Sequence, residues 1–171
     1  MNGKPDSWIP YAQPLLDAVS LFEELGIGYA LIGGVASMYY GRSRFTEDVD
    51  FVAVTGHMGV LAAHPAEMEK YHFAPDCTHK LYHRSGVQAD VWKDEHAEEI
   101  ISRAEVVELA GKQIHIIEPH DLIAMKLRAG RLKDDYDISQ IILGTPIDET
   151  RLASLVTQQQ LLRYTEIKSR T

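Results

Sequence analysis

Residues 48–54 read DVDFVAV, and this alternation constrains the chain more than any other stretch. Side chains along a strand point to opposite faces with a period of two, so Asp48 and Asp50 share one face and Val49 and Phe51 the other. The apolar face has to be covered, which makes the segment a half-buried strand in a layered fold. Two carboxylates on its other face repel unless solvent, basic side chains or a cation intervene. One reading is surface charge at a strand end. The other is a divalent metal, since Mg²⁺ prefers hard oxygen ligands and binds phosphate groups. QADVW (88–92) supplies a third carboxylate, Asp90, again among apolar residues on an expected strand.

The segment upstream adds an independent element. YALIG (29–33) reads as a short buried strand, and Gly33 and Gly34 then open a helical stretch that runs to Gly41. A strand-to-helix turn without side chains lets a phosphate approach the backbone, and a helix start presents free N–H groups to it. A strand, a glycine turn, a helix and then paired aspartates form a far more specific order than any one of these parts.

Elsewhere the pattern predicts a helix carrying Leu15, Val19, Phe22 and Leu25 on one face and stopped by Gly26. A helix should start near Pro65, strands should occupy HKLYHR and VQADVWK around a Ser-Gly turn, and EHAEEIISRA should be helical. EVVELAGKQIHII splits at Ala110 and Gly111 as a hairpin would. Helices are expected from Pro119, with Leu122, Met125, Lys126 and Ala129 at offsets of three and four, then in LKDDYDISQIIL, then as one further helix and a polar tail. The fold class expected is α/β (α+β): a mixed twisted sheet flanked by helices, with a helical C-terminal region. One domain over residues 1–171 is expected, with a core over 12–143 and a helical extension over 144–171.

Apolar residues make up 45% of the 171, enough for a sizeable core, and the net charge of −8 argues against an extended nucleic-acid surface. The single cysteine, Cys77, has no internal disulfide partner, which suits a reducing compartment. No signal-peptide core and no apolar run near the roughly 20 residues of a membrane span is present, so a cytoplasmic protein without membrane contact is expected.

The run LIGGVASMYYGRSRFTEDVDFV (31–52) resembles the nucleotidyltransferase superfamily with the polymerase-beta-like fold. The resemblance implies that Gly33 and Gly34 bind nucleotide phosphate, that Asp48 and Asp50 bind Mg²⁺ or Mn²⁺, and that Asp90 is the third metal-binding and catalytic carboxylate. DLIAMKLRAGRLKDDYDI (121–138) is similar to the segment after the sheet in small bacterial nucleotidyltransferases, including the AbiEii-like toxin group. There Lys126 matches a lysine that neutralises phosphate, and Asp134 or Asp137 matches an acidic residue near the next helix. The reaction implied is attack of an acceptor hydroxyl on the α-phosphorus of an NTP, with pyrophosphate leaving and Asp90 helping to deprotonate the acceptor. The acceptor classes are RNA, protein and small molecules. The alternative is a non-catalytic nucleotide-binding or interaction protein, partnered as in a toxin–antitoxin or regulatory complex.

Other residues carry two readings each. Arg44, more than Arg42, is placed to contact triphosphate or to neutralise Asp48 or Glu47. Lys126 either meets phosphate or lies over apolar neighbours. Arg128 and Arg131 either edge the pocket or lie on a solvated helix face. His64, His72, His79, His83, His96, His115 and His120 show no compact zinc spacing, and Cys77 has no nucleophile motif. One of Tyr39 and Tyr40 is expected in the core, and Trp92 is expected to pack against its neighbours.

Overall fold

The computed structural model describes residues 9–41, 46–74, 80–109 and 111–171. Helix α1 (Ile9–Glu24) buries Leu15, Val19 and Phe22 along one stripe, and Gly26 beyond it takes a left-handed φ of +65° that turns the chain back. Strand β1 (Tyr29–Ile32) is buried throughout and runs straight into α2 (Gly33–Tyr40). Strand β2 (Asp48–Ala53) keeps Val49 and Phe51 buried while Asp48 and Asp50 stay partly accessible, as the alternation requires. Phe51, Phe22 and Tyr29 meet edge-on or tilted, with ring centroids 5.1–5.8 Å apart, and fix α1 against the sheet.

Helices α3 (His57–Ala63) and α4 (Pro65–Lys70) lead to β3 (Lys80–Tyr82) and β4 (Gln88–Trp92). Helix α5 (Ala97–Arg103) precedes the hairpin of β5 (Glu105–Leu109) and β6 (Lys112–Ile116). The strands form one sheet in the order β3-β4-β2-β1-β6-β5. It is mixed: β2 runs antiparallel to β1 and parallel to β4, and β1 runs parallel to β6. This register sets Asp50 opposite Ile32 on one side and opposite Asp90 on the other.

The C-terminal part is helical: α6 (Pro119–Ala129), α7 (Leu132–Gly144), α8 (Glu149–Leu155) and α9 (Gln158–Ser169). The single helix expected after residue 148 is therefore two. Thr157 divides them, its hydroxyl accepting from the Gln160 N–H while the Gln160 side chain accepts from the Thr157 N–H. Helix α3 is not expected from the sequence. It starts from Gly56 at φ +92° with no side-chain cap, so no start signal marks it.

Helices α2 and α7 touch through two glycines. A Cβ on Gly144 would lie 2.2 Å from the Tyr40 carbonyl oxygen, and one on Gly41 would lie 2.7 Å from the backbone of Gln140. The Thr145 hydroxyl donates to the same Tyr40 carbonyl at 2.9 Å. Tyr40 itself is buried, with its hydroxyl donating to the Ile117 carbonyl, as expected for one member of the tyrosine pair.

Candidate active site

Asp48, Asp50 and Asp90 come together because β2 and β4 are parallel neighbours in register. One carboxylate oxygen from each lies within 4.8 Å of the others. The Thr46 hydroxyl donates to Asp48 Oδ1 at 3.0 Å, the Trp92 indole N–H donates to Asp50 Oδ1 at 2.9 Å, and Gln88 Nε2 donates to Asp90 Oδ1 at 2.5 Å. Burial pushes the Asp50 carboxyl above the usual carboxylate range; the Trp92 N–H works against that rise, while the charges of Asp48 and Asp90 add to it. The trio is thus a set of hard oxygen donors short of positive charge. That donor chemistry fits Mg²⁺ or Mn²⁺.

Gly33 faces this cluster from the start of α2, and its φ is +66°. A Cβ there would meet Asp50 Oδ2 at 2.0 Å, so the missing side chain is the space in which Asp50 sits. The Gly34 N–H favours the ionised form of the same carboxylate. The glycine pair therefore seats a carboxylate of the trio, a role that the turn signal in the sequence does not display.

A cavity of about 450 Å³ opens over the cluster. Asp48, Asp50, Gly33 and Gly34 line one side, and Leu122, Met125, Lys126 and Ala129 of α6 line another, which is the stripe visible in the sequence. Lys126 is buried; its Nζ lies 2.6 Å from Asp137 Oδ2 and 3.7 Å from Asp134 Oδ1. Both acidic residues that the sequence offers as alternatives therefore contact it. Arg131 lines the cavity and grips Asp134 with two guanidinium nitrogens, at 2.8 and 3.1 Å. Burial pushes the Asp134 carboxyl up, but Arg131 and Lys126 outweigh it and hold the group below the usual range. Arg128 does not itself line the cavity but donates to Asp94, which does, at 3.0 Å.

Sequence reasoning misses several lining residues, among them Trp92, Lys93 and Lys133. Lys93 and Lys133 bring exposed positive charge to the cavity, and Trp92 lines it while holding Asp50. Trp92 and Lys93 lie just beyond Asp90 in the chain, which is the signal that could find them. Arg42, Arg44, Cys77 and His79 lie outside the described residues.

Solved structures with this arrangement of elements exist. One is an antigenic nucleotidyltransferase-like protein from Paracoccidioides brasiliensis, 19% identical, with a TM-score of 0.60 over 93% of this chain and 89% of that one. A second is the lincosamide antibiotic adenylyltransferase LnuA, lincomycin-bound, 14% identical, with a TM-score of 0.53 over 77% of this chain and 96% of that one. A third is ANT(2″)-Ia in complex with adenylyl-2″-tobramycin, 18% identical, with a TM-score of 0.51 over 93% and 97%. The fold is that of the polymerase-beta-like nucleotidyltransferases. No protein-family model matches the chain, and no curated protein sequence does. Within the nucleotidyltransferase fold, the acidic trio lies on the central strands and the lysine-bearing α6 forms the facing wall. Among the described residues, no helix is long and apolar enough to cross a membrane.

Proposed function

We propose that the chain transfers a nucleoside monophosphate from an NTP to an acceptor hydroxyl, releasing pyrophosphate. The observation that carries this reading is the convergence of Asp48, Asp50 and Asp90 beside the first turn of α2, with Asp48 and Asp50 lining a cavity that Lys93, Lys126, Arg131 and Lys133 also line. Asp48, Asp50 and Asp90 would hold the divalent metal, which when bound polarises phosphate oxygens and acidifies the attacking hydroxyl. The uncapped start of α2 offers backbone N–H groups to the triphosphate, and the exposed lining cations Lys93, Arg131 and Lys133 balance its charge. The acceptor oxygen bonds to the α-phosphorus as the bond to the pyrophosphate oxygen breaks. Asp90 takes the acceptor proton; Gln88 occupies its Oδ1, which leaves Oδ2 for that proton.

A small hydroxylated acceptor is the first class to test. Two structural neighbours are described with antibiotic ligands, and the net charge of −8 is unfavourable for a long RNA contact. The test incubates the protein with labelled NTPs, Mg²⁺ or Mn²⁺, and acceptor pools divided into small molecules, protein and RNA. Label should enter one pool, and Asp50→Ala should abolish it. No metal-dependent transfer to any pool with any of the four NTPs would sink the enzyme reading.

A second reading, a binding subunit in the AbiEii-like toxin–antitoxin manner, is favoured by one observation. Leu132, Tyr136 and Leu143 of α7 and Leu162 of α9 are all more than half exposed. A native mass equal to the monomer, in protein purified with its neighbouring gene product co-expressed, would count against it.

A further inference from the structure

At the β3 edge of the sheet, Asp17 of α1 accepts hydrogen bonds from two histidines through one oxygen. His72 Nδ1 lies 2.8 Å and His83 Nε2 lies 2.9 Å from Asp17 Oδ2. The histidines show no motif in the sequence because they reach Asp17 across 55 and 66 residues. They become neighbours where Phe73 bridges to His83 and the Arg84 N–H donates to the His72 carbonyl. We propose that Asp17, His72 and His83 form a second metal site, which takes one zinc-class cation independently of the carboxylate cluster.

The donor set is built rather than loose. Asp17 and His83 are each only 7% exposed. Gln13 Nε2 holds Asp17 Oδ1 at 2.7 Å, which leaves Oδ2 as the ligand oxygen. Ser85 Oγ lies 2.8 Å from His83 Nδ1 and can accept its proton, the tautomer that frees Nε2 for a metal. The Ser85 N–H also approaches Nδ1, at 3.1 Å, and would yield to that exchange. The two imidazole rings stand nearly perpendicular, at 78°, with centroids 5.8 Å apart. The three ligand atoms lie within 4.8 Å of one another.

Bonds of about 2.0–2.1 Å in a tetrahedron set ligand atoms about 3.3 Å apart, so the nitrogens need to retreat from Asp17 Oδ2 by only about half an ångström. Two imidazoles and one carboxylate suit Zn²⁺ rather than Mg²⁺. The His72 side chain is 48% exposed, which leaves a fourth position to water. His72 is also the residue other than glycine with positive φ among those described, at +64°. Such a backbone persists only where its surroundings enforce it, and it aims the imidazole back at α1. A bound ion there would clip α1 to the β3–β4 edge.

The test titrates chelator-treated protein with Co²⁺ and then Zn²⁺ in excess Mg²⁺, reading visible absorption and Tm. One equivalent of Co²⁺ should give the intense bands of a tetrahedral nitrogen–oxygen site, Zn²⁺ should bleach them, and Tm should rise by about 5 °C or more. His72→Gly keeps the left-handed backbone without strain and removes one ligand; it should weaken binding about tenfold or more. His96→Ala, an exposed histidine elsewhere, should leave binding unchanged. Only weak octahedral bands, equal binding by His72→Gly, or loss of binding in His96→Ala would each overturn the site.

Discussion

The Trp92 indole N–H donates to Asp50 Oδ1 at 2.9 Å, so an aromatic residue at the end of β4 fixes a carboxylate in the middle of β2. Trp92 is nearly half exposed, so its packing contributes little and its N–H much. Trp92→Phe is therefore expected to leave Tm almost unchanged. It should weaken Mn²⁺–NTP binding roughly fivefold, the equivalent of about 1 kcal/mol for one hydrogen bond to a charged, partly wet group. Calorimetric titration with a nonhydrolysable NTP measures this directly. Equal affinity in the variant would mean that Asp50 is held well enough by its other neighbours.

Gly33 and Gly26 have nearly the same backbone, at φ +66° and +65°, but different surroundings. A Cβ on Gly26 meets nothing within 4 Å, whereas one on Gly33 runs into Asp50. Gly26→Ala should cost about 1 kcal/mol of strain and keep transfer activity. Gly33→Ala should cost the same strain and, in addition, displace the Asp50 carboxylate and remove activity. Denaturant melts and the transfer assay on both variants separate strain from displacement. Activity retained in Gly33→Ala would mean that Asp50 can move without loss.

Lys126 and Asp137 are both nearly inaccessible, and they meet at 2.6 Å. Removing one charge of a buried pair leaves the other uncompensated. Asp137→Asn is expected to lose about 3 kcal/mol of unfolding free energy by urea denaturation. A loss below about 1 kcal/mol would show that Asp134, at 3.7 Å, suffices to hold the ammonium group.

Asp134 gives a pH signature. Its carboxyl is held below its ordinary value, so its stabilising contribution is full above the unfolded carboxylate range, near pH 4, and is lost as pH falls through the lower native value. The stability difference between wild type and Asp134→Asn should therefore be largest above about pH 5 and shrink steadily towards pH 2. Thermal melts across that range provide the measurement. A difference that stays constant with pH would place the contribution of Asp134 in packing or neutral hydrogen bonding.

The acidic trio is legible in the sequence because a strand of alternating carboxylates and apolar residues has few alternatives, and Asp90 repeats that pattern. The stripe of Leu122, Met125, Lys126 and Ala129 is legible for the matching helical reason. What the sequence does not display depends on chain segments meeting at a distance. The parallel pairing that sets Asp50 opposite Asp90 is a property of the sheet, not of either strand. The role of Gly33 depends on where the Asp50 side chain lies, and the choice between Asp134 and Asp137 dissolves once both reach Lys126. His72 and His83 escape a search for zinc spacings because those are local patterns, whereas these two meet Asp17 only after the sheet edge has formed.

The glycine contact between α2 and α7 ties the two sides of the cavity to one pivot. Helix α2 begins beside Asp50 and ends at Tyr40, capped by Gly41, while α7 begins beside Lys126 and ends at Gly144, so the two are arranged like the arms of a pair of tongs closed at the rivet. With backbone against backbone at the rivet, the arms have no room to slide or approach there. A change in jaw width must then be an angular one, small near Tyr40 and largest at the carboxylates, and a side chain added at Gly144 would prise the jaws apart from the far end.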